Sequence, residues 1–138
     1  MTTKEIKWTM FVIAAIGNFI AMLDSTTVNL ALYPMSVDLN VTMTQIQWVM
    51  VAYMLVLTVF LPFFGKLGDI FPKNKLYSIG FSIFAIGAFL NTTAPSFVLL
   101  VAYRCLEALG ASIMLSNAQA IIAGTVSYTH LRAHETCA

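Results

Sequence analysis

The sequence predicts an all-α membrane protein of four transmembrane helices, and three observations carry that prediction. Of the 138 residues 59% are hydrophobic and 9% charged, with a mean hydropathy of +0.85. A soluble globular domain has about 25% charged residues, so this chain lacks the material for a water-facing surface. The charges are also segregated: Trp8–Leu23, Leu39–Gly65, Leu76–Tyr103 and Ala108–Leu131 contain no Asp, Glu, Lys or Arg. Crossing a hydrocarbon core of about 30 Å takes about 20 mostly apolar residues. Three of the runs reach that length alone, and the first does so if it tolerates Asp24.

The spans follow in order. Span 1 covers about residues 8–32, with Trp8 suited to an interfacial anchor. Lys4 and Lys7 ahead of it resemble the start of a signal peptide, but the run continues past Asp24 to Leu32 without a small-residue cleavage site, so it reads as uncleaved. Span 2 covers about 45–64, with Trp48 near its outer boundary, span 3 about 75–90 and span 4 about 97–123. The connections Pro34–Met43, Gly65–Asn74 and Asn91–Ser96 are short, which makes consecutive helices antiparallel neighbours. Lys4, Lys7, Lys66, Lys73 and Lys75 fall on one side, and the other two loops contain no Lys or Arg. The positive-inside rule then places both termini and the Gly65–Lys75 loop in the cytoplasm, in a multi-pass cell (inner or plasma) membrane whose lipid bilayer is the first partner. In that loop Gly65 and Gly68 permit close backbone approach. Asp69 is expected near the start of span 3, where the helix dipole favours an anion, and Pro72 suits a first helical turn.

Three ions lie inside spans: Asp24, Arg104 and Glu107. A charge at the centre of a spanning helix costs about 2.5–3.5 kcal/mol on the insertion scale, so such groups face protein or a water-filled cavity. At about 1.5 Å per residue, Asp24 is roughly 15 Å from the outer end of span 1 near Pro34, and Arg104 roughly 13 Å below Pro95. The two are expected in one layer, with Arg104 neutralising Asp24 directly or through water. Glu107, three residues on and on the same face, competes for the guanidinium. Two carboxylates with one cation leave one without a full partner, which suits reversible proton binding. The alternative is a static Arg104–Glu107 pair with Asp24 at headgroup depth.

On span 1, Asn18, Ser25 and Asn29 share a face that either lines a polar cavity or makes ordinary interhelical hydrogen bonds. Gly17, Ala21, Asp24, Val28 and Ala31 form a second, mostly small face, which favours close packing in lipid. On span 4, Arg104, Ala108, Ala111 and Ala118 fall near one face as a packing seam, with Gly110 and Ser112 adding small positions. Met35, Met43, Met50, Met54 and Met114 suit an adaptable binding surface or simple packing.

Other patterns exclude more than they assign. Cys105 and Cys137 form no C-x-x-C pair, so no disulfide scaffold is expected. Asn40-Val41-Thr42 and Asn91-Thr92-Thr93 match the glycosylation acceptor pattern, but each sits against a helix end and reads as a chance match. His130 and His134 have an i,i+4 spacing seen in metal sites. No nucleotide loop, metal-ligand cluster or nucleophile–base set is visible. The chain therefore reads as no enzyme, without a cofactor, a metal or a nucleic-acid partner.

Three motifs carry a family resemblance. Leu23-Asp24-Ser25-Thr26-Thr27-Val28-Asn29-Leu30-Ala31-Leu32, Gly65-Lys66-Leu67-Gly68-Asp69 preceded by Trp48 and Tyr53, and Arg104 with Gly110 resemble signatures of the major facilitator superfamily, in particular its fourteen-span drug:proton antiporters. The departures are Tyr33 before Pro34, Ile70 and Pro72 in the loop motif, and Glu107, Ala108, Ser112 and Ser116 in span 4, where Glu107 stands in place of the usual Gln. The resemblance implies proton-coupled export of small lipophilic, often cationic substrates by alternating access. Asp24 and Arg104 would belong to the proton and substrate pathway, and Asp69 with Lys73 to a cytoplasmic conformational latch. Because that fold has six spans per half, residues 1–125 are expected to be an incomplete N-terminal six-helix half, whose further partner is the rest of the same transporter. Residues 126–138 lack membrane periodicity and resemble translated adapter read-through, so a non-native or unstructured tail is expected there; a genuine cytoplasmic tail is the alternative. Two other functions fit four spans: a small dimeric multidrug exporter, and a non-transporting assembly subunit.

Overall fold

The computed structural model describes residues 3–136, with side chains described over residues 5–123. Four α-helices follow one another: α1 Thr3–Asp38, α2 Met43–Ile70, α3 Lys73–Thr92 and α4 Phe97–Thr136. Helix number, type and order match the expected spans, but every helix is longer than the span expected for it. The polar turns at the membrane boundary satisfy their backbone groups within the helix rather than in loops.

The connections are correspondingly tighter than expected. α1 passes through Pro34 and ends at Asp38, where Asn40 takes a left-handed φ of 52°. The Asn40 N–H donates to the Val37 carbonyl at 3.2 Å and the Val41 N–H to the Ser36 carbonyl at 3.0 Å, a Schellman stop with Asn in the position that tolerates positive φ. Thr42 then caps α2. Its hydroxyl accepts from the Gln45 N–H at 3.2 Å, and the Gln45 side chain accepts from the Thr42 N–H at 3.0 Å, closing a capping box. The first glycosylation-like triplet is therefore turn chemistry.

The Gly65–Lys75 loop is corrected more deeply. α2 runs through Pro62 to Ile70, so Gly65, Lys66, Gly68 and Asp69 are helical, and the turn shrinks to Phe71 and Pro72. Asp69 sits in the last turn of α2, at a carbonyl end, and not at the start of α3. Pro72 is the N-cap residue of α3, one position before the expected first turn. Asn91, expected in the third connection, lies in the last turn of α3.

α1, α2 and α4 are long and apolar enough to cross a membrane. α3 has 20 residues, about 30 Å at about 1.5 Å per residue, yet it falls short on apolarity. Every eighteen-residue window along it takes in Lys75 together with Asn74 or Asn91. The backbone of α4 is helical past the expected end of span 4 at Ala123, without a break near residue 125; the side chains of the 126–138 tail lie outside the described residues.

α4 is the hub: it packs on all three other helices, whereas α1–α2 and α2–α3 share few contacts. Its seam of Ala108, Ala111, Met114 and Ala118 is buried against Ala14 and Ala21 of α1, Tyr53 of α2, and Tyr77 and Phe84 of α3. The seam and the small face of α1 are thus both used as expected. At Gly87 a Cβ would lie 2.8 Å from the backbone nitrogen and Cα of Glu107, so α3 and α4 touch backbone to backbone. At Gly68 a Cβ would lie 2.5 Å from Asn117 Oδ1, so the loop-motif glycine is a packing position of α2 on α4. Without a hydrophobic driving force between helices in lipid, such close approach supplies the van der Waals contact that holds them together. Large apolar side chains such as Met22, Leu30, Phe63 and Phe89 face outward.

Candidate functional site

Every helix sends one side chain or more to a single buried point. Arg104 of α4 is 1% exposed and Glu107, one turn on, is 0% exposed. Arg104 Nη1 donates to Asp24 Oδ2 of α1 at 2.8 Å and also to Glu107 Oε2. Asn91 Nδ2 of α3 donates to the same Glu107 oxygen. The ring of Tyr53, from α2, lies 4.8 Å from the guanidinium carbon, a cation–π contact of about 0.5–2 kcal/mol depending on desolvation. The backbone explains the convergence. Gly87 lets α3 reach the Glu107 main chain, and Asn91, four residues along the same face, is carried to the carboxylate.

Asp24 and Arg104 share a layer and pair directly, as expected. The i,i+3 pair with Glu107 uses the same Nη1, so the two acids draw on one guanidinium nitrogen. Asp24 is the more open of the two acids, its side chain 22% exposed. Glu107 Oε1, Asn91 Oδ1 and Arg104 Nε and Nη2 are buried with no hydrogen-bond partner among the described residues. The sequence alone does not point to Asn91 or Tyr53 as members of this cluster. Asn91 was hidden inside a glycosylation-like triplet, and Tyr53 stood only as a motif neighbour of Trp48. The available signal was that Gly87 and Asn91 lie at i,i+4 on one helix face.

The remaining expected site residues lie elsewhere. Asn18 has a buried Oδ1 without a partner, Ser25 is half-buried and Asn29 is exposed; among the described residues none bonds to the cluster. Lys66 and Asp69 are exposed and Lys73 is half-buried, and Asp69 and Lys73 do not form an ion pair with each other. The surface depressions along Ser36–Thr42 and along Met50, Met54 and Thr58 do not adjoin the charges. Met50 and Met54 thus sit on an open face, whereas Met114 is core. No group of three or more metal-ligating side chains occurs among the described residues; the side chains of His130, His134 and Cys137 lie outside them.

The family model of the Major Facilitator Superfamily matches residues 14–132. This chain belongs to that superfamily. Relatives include the riboflavin transporter RibZ of Clostridioides difficile (strain 630), 42% identical over 116 residues, 84% of this chain and 25% of that protein. The lincomycin resistance protein LmrB of Bacillus subtilis (strain 168) is 35% identical over 102 residues, 72% of this chain and 21% of its own length. The putative multidrug resistance protein MdtD of Serratia proteamaculans (strain 568) is 30% identical over 113 residues, 82% and 24% respectively. The chain spans about a quarter of the length of the curated relatives it matches. No solved structure matches it. Membership and helices of this kind make it a multi-pass membrane protein of a transporter family.

Proposed function

We propose that these helices are the first four spans of a proton-coupled exporter of small lipophilic, often cationic compounds, of the fourteen-span type. In this reading both termini of the segment face the cytoplasm of a cell membrane, the segment is no enzyme, and the exporter works by alternating access. The observation that carries it is the single Arg104 Nη1 bridging Asp24 and Glu107 from two helices. One buried cation shared by two acids is a site whose charge balance changes by one proton, which is what coupling requires. Resistance proteins among the relatives support drug efflux as the outcome, and family membership favours this reading over a dimeric four-span exporter or an assembly subunit. Gly65, Lys66, Gly68, Asp69 and Lys73 would then act at the cytoplasmic end during conformational exchange.

The test uses the complete transporter that carries this segment, purified in weakly buffered detergent. Adding a lipophilic cation should release protons, and Asp24→Asn should abolish that release together with proton-driven transport. Undiminished coupled transport by the Asn variant would refute the proposal.

A second reading of the cargo rests on the riboflavin transporter that shares 42% identity with this chain. Flavin is planar and aromatic rather than a lipophilic cation, so side-by-side transport of riboflavin and a cationic dye in the same vesicles distinguishes the two.

A further inference from the structure

The acid that holds the proton is identified by the partners of Glu107. The cluster contains two carboxylic side chains, Asp24 from α1 and Glu107 from α4, with Arg104 as its cation, the Tyr53 ring from α2 against the guanidinium, and the uncharged amide of Asn91 from α3. With both acids ionised it carries a net negative charge out of water, which is costly unless every ion is paired. One proton makes it neutral. Asp24 has Arg104 at 2.8 Å and a side chain 22% exposed, so its charge is matched and partly hydrated. Glu107 is wholly buried and lies against a group suited to an acid. Asn91 Nδ2 donates to Oε2, while Glu107 Oε1 and Asn91 Oδ1, the other halves of the same two planar groups, are both buried with no donor. A protonated carboxyl has one O–H to donate and an amide oxygen accepts, so one added hydrogen can satisfy both unfilled acceptors of this bonded pair.

We propose that Glu107 is a carboxylic acid in this structure, with its proton on Oε1 bonded to Asn91 Oδ1, so that Asn91 and Glu107 form a buried acid–amide pair with two parallel hydrogen bonds. Asn91 is a positioning residue: it orients the carboxyl so that Oε2 faces Arg104 and Oε1 holds the proton. Release of the proton leaves a second carboxylate competing with Asp24 for Arg104, which links protonation of α4 to the α1–α4 ion pair. As a store for a transported proton the pair rests on the function proposed above; as a protonation state it stands on this geometry alone.

Infrared spectroscopy of the 138-residue chain in lipid nanodiscs tests it, because the carbonyl stretch of a carboxylic acid is separate from carboxylate bands. At neutral pH the wild type should show the acid band. Carbon-13 labelling of glutamate carboxyls should shift it, labelling of aspartate carboxyls should leave it in place, and Glu107→Gln, which installs the residue usual at this position in the resembled signature, should remove it. Asn91→Leu should move the band to higher frequency by removing a hydrogen bond to the carbonyl, with Asn91→Ser as the second variant should Leu not fold. No acid band in the wild type, or a band that shifts with labelled aspartate and not with labelled glutamate, would overturn the assignment. A frequency unchanged in both Asn91 variants would overturn the pairing. Full proton coupling in a complete Glu107→Gln transporter, with the acid band present in wild type, would remove the transport role and leave the pair.

Discussion

Gly87 offers the sharpest quantitative test of how this bundle is held. A methyl group there would meet the nitrogen, Cα and Cβ of Glu107, each at 2.8 Å, and backbone does not yield as the end of a flexible side chain does. The helices must separate by about an ångström, and overpacking of this kind costs about 1–3 kcal/mol. Ala in place of Gly returns about 0.5–1 kcal/mol of helix preference. Moving α3 also loosens the Asn91–Glu107 bond, and a hydrogen bond between neutral groups is worth about 0.5–1.5 kcal/mol. Gly87→Ala should therefore destabilise the chain by about 2 kcal/mol net. Gly65 is the internal control. A Cβ there meets only Ser116 Cβ at 4.0 Å, an ordinary contact, so Gly65→Ala should be neutral or stabilising by up to about 1 kcal/mol. Denaturant titration of both variants in the same detergent, followed by helical circular dichroism, reads the difference. Equal stability of the two variants would refute the claim that backbone contact between α3 and α4 organises the fold.

Three further outcomes follow from the same geometry. Arg104→Leu leaves Asp24 unpaired and removes a donor from the buried Glu107, and should cost about 3–5 kcal/mol; Arg104→Lys should recover only part of this in the same denaturation assay, because an ammonium loses the planar guanidinium that lies over the Tyr53 ring. Tyr53→Phe keeps the ring over the guanidinium and should cost less than Tyr53→Leu, which loses about 0.5–2 kcal/mol of cation–π attraction; equal losses in thermal unfolding would point to the hydroxyl instead. Thr42→Ala removes the α2 cap and should cost about 0.5–2 kcal/mol, whereas Asn40→Gly should be tolerated because φ there is already 52°; hydrogen exchange at the first turn of α2 measures both.

Element type was legible because apolar runs free of charge have one stable solution in lipid, a helix with its backbone bonds internal. The helix ends were not. Gly65–Lys75 reads as a loop from its charge and glycines, yet it is helix as far as Ile70, since Gly68 faces Asn117 and the packing of α2 on α4 outweighs the local cost of glycine. Asp24 beside Arg104 was legible because rise per residue converts sequence position into depth.

By itself the sequence determined that four helices form, that α1 and α4 carry their ions at one depth, and that small residues line the faces that meet. Those properties are local: hydropathy, helical period and residue size are written at each position. Only the tertiary structure decided that α4 is the hub, that Tyr53 covers the guanidinium, and that Asn91 reaches Glu107. Each of those depends on the rotation of one helix about its axis relative to another. In a bundle that rotation is set by how closely backbones approach at Gly87 and Gly110 and by the room Gly68 leaves for the Asn117 side chain, a property of helix pairs that no single span contains.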